Sequence, residues 1–304
     1  MNVLETFGLG VRYGRTWAVR DCTLAIPDGR IVALVGSNGA GKTTLLHCAV
    51  GLTEPTCGVV SVLGDLPAGS IDALDRVAFV AQDAPLYRHL SVNEMVEVAA
   101  NLNRRFDRPF AAGRLRSLDI PMKRRVGKLS GGQQAQLALT LALGRHPELL
   151  LLDEPLARLD PVARHDVMAL VMTMALEEGV SVVFSSHVVS ELERVADYLV
   201  LMAQGHLQLV GPIDGVLAEH SVLNGPADEA ESIAEHYCVV HAEEAARRVQ
   251  LLVRHDQPID TPQGWEVSTP SLDELVLAYL RDPSLVGRSG PIAIAATRAG
   301  GLAR

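Results

Sequence analysis

The 304-residue chain is poor in aromatic side chains, only 4% of its residues, so it offers few platforms for stacking nucleic-acid bases. It also lacks a surplus of positive charge. The formal net charge is −9, which disfavours a general nucleic-acid role. No apolar run approaches the roughly 20 residues that a membrane-spanning helix needs. Leu149–Leu152 ends in two carboxylates, and Ala135–Leu143 is short and carries Gln136 and Thr140. The first ten residues show no basic start followed by an apolar stretch, so no secretory signal is expected. The four cysteines, Cys22, Cys48, Cys57 and Cys238, are scattered without a Cys-x-x-Cys pair and read as reduced thiols of a cytosolic protein. His236, Cys238 and His241 form a loose cluster that matches no common zinc spacing and reads as ordinary surface and core residues.

What the chain does have is 48% hydrophobic content, enough for one sizeable core with an accessory segment. Short apolar runs at Ile31–Val35, Val59–Leu63, Val77–Val80, Leu149–Leu152 and Val180–Ser185 predict buried strands. Helical patterns separate them: Thr44–Val50, Ser91 to about Gly144, Val162–Glu178 stopped by Gly179, and Val188–Ala196. Ser91 and Glu94 stand at capping-box spacing. Tyr198–Met202 and His206–Val210 flank Ala-Gln-Gly, a hairpin signal. Alternating strands and helices predict an α/β fold with a mainly parallel sheet covered on both faces. After Pro212 the character changes. Residues 219–235 read as polar and acidic, Tyr237–Val240 and Val249–Val253 as short apolar runs around a helical Ala242–Arg248, and Ser271–Leu280 as an amphipathic helix. The last twenty or so residues contain no acid and much Gly and Ala, and are expected to form a mobile tail.

Three motifs carry chemistry. Gly36-Ser37-Asn38-Gly39-Ala40-Gly41-Lys42-Thr43-Thr44 fits G-x-x-x-x-G-K-[ST] between a strand and a helix. Its glycines let successive N–H groups face one anion, and the helix start adds a positive dipole end. Lys42 is expected at the β- and γ-phosphates of a nucleotide and Thr43 at Mg²⁺. Asp153 and Glu154 end an apolar strand, at the sheet edge where ligands bind. Asp153 is the expected magnesium carboxylate and Glu154 the general base. The plainer alternative is that this acidic strand end merely caps a helix. Between the two lies Leu129-Ser130-Gly131-Gly132-Gln133, opening a helix.

The three motifs in this order resemble the ABC (ATP-binding cassette) ATPases over roughly residues 1–215. The resemblance implies a P-loop cassette with N-terminal antiparallel strands, a helical subdomain and, here, a small α+β C-terminal extension. The expected boundaries are 1–218 for the cassette, about 83–147 for its helical subdomain, 219–283 for the accessory domain and 284–304 for the tail. It further implies that Tyr13 stacks on adenine, that Gln82 senses Mg²⁺, that His187 contacts the γ-phosphate, and that Ser130, Gly131, Gly132 and Gln133 complete the ATP site of an opposite cassette. Asp160 belongs to the loop that touches that second cassette. Where the family pattern reads S-A-L-D, this chain has Ala157-Arg158-Leu159-Asp160, a departure that bears on homodimer pairing.

The implied partners are separate transmembrane permease subunits and a second cassette, with the chain peripheral on the inner membrane face and no nucleic acid expected. Ser271–Leu280 resembles the closing segment of bacterial drug- and antibiotic-export ATPase subunits, which favours export; a plain docked helix is the alternative. Nine basic residues between Arg104 and Lys128 stand against Asp107 and Asp119, leaving that stretch at +7 and the remainder at −16. In the family this region faces membrane subunits, where such charges meet anionic headgroups or acidic loops; a solvated face is the alternative. Two other functions remain open at this stage: an ABC protein acting on DNA or ribosomes, and a nucleotide-gated regulatory binder.

Overall fold

The computed structural model describes residues 1–281 apart from 84, 158, 246 and 260–262, together with the backbone but not the side chains of 190 and 191. Arg158 and the tail expected at 284–304 lie outside the described residues.

The chain opens with two long strands, β1 (Asn2–Tyr13) and β2 (Thr16–Pro27), paired as an antiparallel hairpin. Pro27-Asp28-Gly29 turns the chain into β3 (Ile31–Val35), buried at every residue, and the phosphate-type loop leads into α1 (Lys42–Ala49). β4 (Cys57–Val62) and β5 (Leu66–Pro67) complete the first sheet, ordered β2-β1-β4-β5. α2 (Ile71–Arg76) precedes β6 (Val77–Val80). A helical layer follows: α3 (Val92–Leu102), α4 (Arg108–Ser117), a 3-10 turn at Val126–Lys128 and α5 (Gly131–Leu143). The expected capping box is present on α3, where Ser91 and Glu94 satisfy each other's backbone N–H groups.

The central sheet then fills in with β7 (Leu149–Asp153), α6 (Pro161–Glu178), β8 (Ser181–Ser186), the one-turn α7 (Val189–Leu192), β9 (Tyr198–Ala203) and β10 (His206–Pro212). Its order is β10-β9-β3-β8-β7-β6, parallel except for the β9–β10 hairpin. Gln204 and Gly205 both have positive φ, as a two-residue hairpin turn requires. The inner strands are buried at every residue because both faces of the sheet are covered.

The C-terminal part contains α8 (Ile213–Ala218), β11 (His220–Pro226), α9 (Ala230–His236), β12 (Cys238–Ala245), β13 (Arg248–Arg254), β14 (Glu266–Ser268) and α10 (Leu272–Arg281). Its sheet is antiparallel, ordered β12-β13-β11-β14. One face packs on α9 around Leu223, Leu251, Val253 and Trp265. The other joins the main core: Val222, Val240 and Leu252 meet Leu272, Leu275, Val276 and Tyr279 of α10, contiguous with Val171, Leu192 and Ile213.

Three expectations are corrected. The polar stretch after 219 contains β11, whose Val222 and Leu223 each face one of the two layers just described. Residues 242–245 are no helix but the end of β12, and Arg248 opens β13, because pairing of Glu243 with Gln250 and Glu244 with Val249 outweighs local helix propensity. The helix expected over Val188–Ala196 stops at Leu192. There the chain must enter β9, and Asp197 is held by the Ile31 N–H and Arg30.

Candidate functional site

The site is built at the C-terminal edge of the parallel strands β3, β7 and β8. After β3 the loop turns on glycines that admit no side chain. A Cβ on Gly36 would stand 2.3 Å from the Met202 carbonyl oxygen, and one on Gly41, at φ +105°, 2.5 Å from that of Ala18. Residues 38–44 line a cavity of about 400 Å³ together with Ala18, Gln82 and Glu154. Lys42 is buried at its edge. Its ammonium donates to the carbonyls of Gly36 (2.7 Å) and Ser37 (3.2 Å) and stands 3.8 Å from Glu154 Oε1. Burial pushes the Lys42 pKa below its ordinary value, while Glu154 and Asp153 pull it back.

β7 delivers the acidic pair. Asp153 is 2% exposed, and its two oxygens accept from different hydroxyls: Oδ2 from Thr43 (2.8 Å) and Oδ1 from Ser185 (2.6 Å). Glu154 leaves the strand in a left-handed conformation, φ +45°, with its N–H donating to Ser185 Oγ (2.8 Å). The turn carries its carboxylate to His187, whose Nδ1 is 2.9 Å from Oε2. Ser186 closes a local turn onto the Val188 backbone and so sets the direction of His187.

The cavity thus brings together Asn38, Gly39, Ala40, Gly41, Lys42, Thr43, Thr44, Gln82 and Glu154; Thr43 ties in Asp153, and Glu154 ties in His187. Other expected residues sit apart. Tyr13 ends β1, opposite Thr16 and 55% exposed; it is not among the lining residues, where its hairpin contributes Ala18. Asp160 is engaged as the N-cap of α6, accepting from Val162 N (3.0 Å) and Ala163 N (2.9 Å). Ser130 caps α5 and is bonded reciprocally to Gln133. The exposed Gly131 beside them has open space where a Cβ would point, and it lines a narrow cleft shared with Gln82 and Glu154. Ser185 and Ala18 were not singled out from the sequence. Only Ser185's place, a polar residue near the end of an apolar strand and two before His187, signals it.

The Thr43 hydroxyl and Asp153 carboxylate form an oxygen donor set that suits a hard divalent cation, and the glycine cradle in front of α1 suits phosphate. Fold and site together define a P-loop nucleotide-binding α/β protein. Residues 19–157 match the family model described as ABC transporter. The Fe(3+) ions import ATP-binding protein of Rhodococcus jostii is 33% identical over 93% of this chain and 86% of its own length. The molybdenum import ATP-binding protein of Aromatoleum aromaticum is 34% identical over 68% of this chain, which spans 58% of that protein. The bacitracin transport ATP-binding protein of Enterococcus faecalis is 32% identical over 67% of this chain and 68% of its own length. The chain belongs to the ABC transporter ATP-binding family and has the ABC ATPase cassette fold. A dimeric cassette bound to ADP and phosphate overlays with a TM-score of 0.62 over 69% of this chain and 98% of that one; at 23% identity the likeness is one of fold.

Proposed function

We propose that this chain binds and hydrolyses ATP and passes the free energy to separate membrane subunits by closing against a second cassette. The observation that carries the reading is the junction of Lys42, Thr43, Asp153, Glu154 and His187 at one cavity. The loop N–H groups and Lys42 hold the phosphates, with Tyr13 at the base. Thr43 and Asp153, with Gln82 at the cavity, would hold magnesium, which would supply positive charge to offset that of the phosphates. Glu154 takes the proton of the attacking water, and His187, bonded to the same carboxylate, fixes its direction. Ser130 to Gln133 of one cassette face the γ-phosphate held by the other, with Asp160 in the loop between them. On this reading residues 1–218 are the cassette, 83–147 its helical subdomain and 219–283 an accessory module.

Among the described residues no helix is long and apolar enough to cross a membrane. The family membership supports a peripheral place at the membrane through membrane subunits, which we assign to the inner face. Exposed Leu52, Ile71, Tyr87 and Leu102 and the basic helical layer suit such partners. For direction we keep export, supported by the amphipathic α10 segment and the bacitracin transport relative. The iron and molybdenum import relatives favour the second reading, import. The test is purification of Glu154→Gln with ATP from native membranes. Co-purifying membrane subunits support the reading, and their polarity of transport in vesicles decides direction. Unchanged ATP turnover in Glu154→Gln overturns it.

A further inference from the structure

We propose that Ser185 is a positioning residue for the metal-holding carboxylate, a role that rests on the magnesium-nucleotide reading of this site. Ser185 stands directly opposite Asp153 in the parallel β7–β8 register and is wholly buried. A serine hydroxyl has one proton. That proton goes to Asp153 Oδ1 at 2.6 Å, the length of a charge-assisted bond. The same oxygen therefore meets the Glu154 N–H as an acceptor, at 2.8 Å.

Two consequences follow from this single oxygen. First, it pins the Asp153 carboxylate so that Oδ2 is presented to Thr43. Thr43 is itself a ligand candidate, so its bond to Asp153 is shared with any cation placed there. The Ser185 bond is not, because Ser185 does not line the phosphate-loop cavity. It is the restraint that persists when the cation arrives. Second, it anchors the peptide from which Glu154 departs at φ +45°, a backbone region that non-glycine residues occupy only when held. One hydroxyl thus fixes the metal carboxylate and the start of the base's side chain against each other. Ser185 lies outside the phosphate-loop cavity and acts through Asp153 and Glu154.

The test uses the full chain and a fluorescent ATP analogue, titrated with and without magnesium. Ser185→Ala is expected to leave magnesium-free affinity unchanged and to raise the half-saturating magnesium concentration about tenfold or more, the usual cost of losing an outer partner of a metal ligand. Ser185→Thr keeps the hydroxyl, and the roughly 130 Å³ cavity beside Ser185 and His187 has room for its methyl group, so it restores the wild-type magnesium curve. Ser185→Cys keeps the packing with a weak donor and follows the alanine variant, which separates positioning from folding. Equal magnesium curves for wild type, Ala and Cys variants overturn the proposal while leaving the nucleotide reading intact. A wild-type chain that binds no nucleotide removes both.

Discussion

His187 Nδ1 lies 2.9 Å from Glu154 Oε2 while Lys42 stands 3.8 Å from the other oxygen of the same carboxylate. Glu154 is therefore held at both carboxylate oxygens, by an imidazole on one side and an ammonium on the other. Substituting the amide keeps the shape and removes the base. Glu154→Gln is expected to retain ATP binding and to lose about 10²–10⁴-fold in turnover, measured as phosphate release at saturating ATP.

The helix tip at Ser130 stands outside the phosphate-loop cavity of its own chain: Ser130 and Gln133 are bonded to each other, and neither lines that cavity. Its effect is expected in assembly. With ATP, Glu154→Gln is expected to run as a dimer by light scattering, and addition of Ser130→Arg to return it to monomer without loss of nucleotide affinity. A double variant that remains dimeric would break the link between the signature helix and pairing.

Gly41 combines φ +105° with a backbone oxygen 2.5 Å from where a Cβ would sit. Gly41→Ala must move the loop or β2. We expect destabilisation of about 2 kcal/mol or more by urea titration, and nucleotide affinity too weak to measure.

His220 ties α8 to α10. It is 2% exposed, its Nδ1–H donates to Val216 O (2.7 Å), and its Nε2 accepts from the Tyr279 hydroxyl of α10 (2.8 Å). Burial, with Arg254 and His255 nearby, pushes its pKa down to about 4, against the backbone bond that raises it. The unfolded chain binds the proton near pH 6.5, so between these values it carries more protons than the folded one. Stability is whole above pH 6.5 and falls as pH drops towards 4, by roughly 3 kcal/mol in all. Urea midpoints measured across that range should show this slope, and His220→Gln should flatten it.

The element pattern of the cassette was legible because its signals are local. A run such as Leu149–Leu152, a Pro-Asp-Gly turn or a Ser91–Glu94 box specifies its own geometry within a few residues. The C-terminal sheet was legible only in part: the apolar runs Tyr237–Val240 and Val249–Val253 overlap β12 and β13, while β11 and β14 carried no signal. Ala242–Arg248 has helical composition, and only pairing with β13 makes residues 242–245 a strand. The same distinction runs through the site. Lys42, Thr43, Asp153 and Glu154 announce themselves by spacing, whereas Ser185 is one serine among many until the β7–β8 register places it against Asp153.

The amino-acid order alone therefore determined the strand and helix units of the cassette, the phosphate-type loop and the acidic strand end, because backbone sterics and near-neighbour patterns dictate them. Tertiary structure alone decided which hydroxyls grip Asp153, that Glu154 leans on His187, and that α10 shares the main core. Those outcomes depend on contacts between residues tens to more than a hundred positions apart, and nothing short of the packed chain brings such partners within bonding distance.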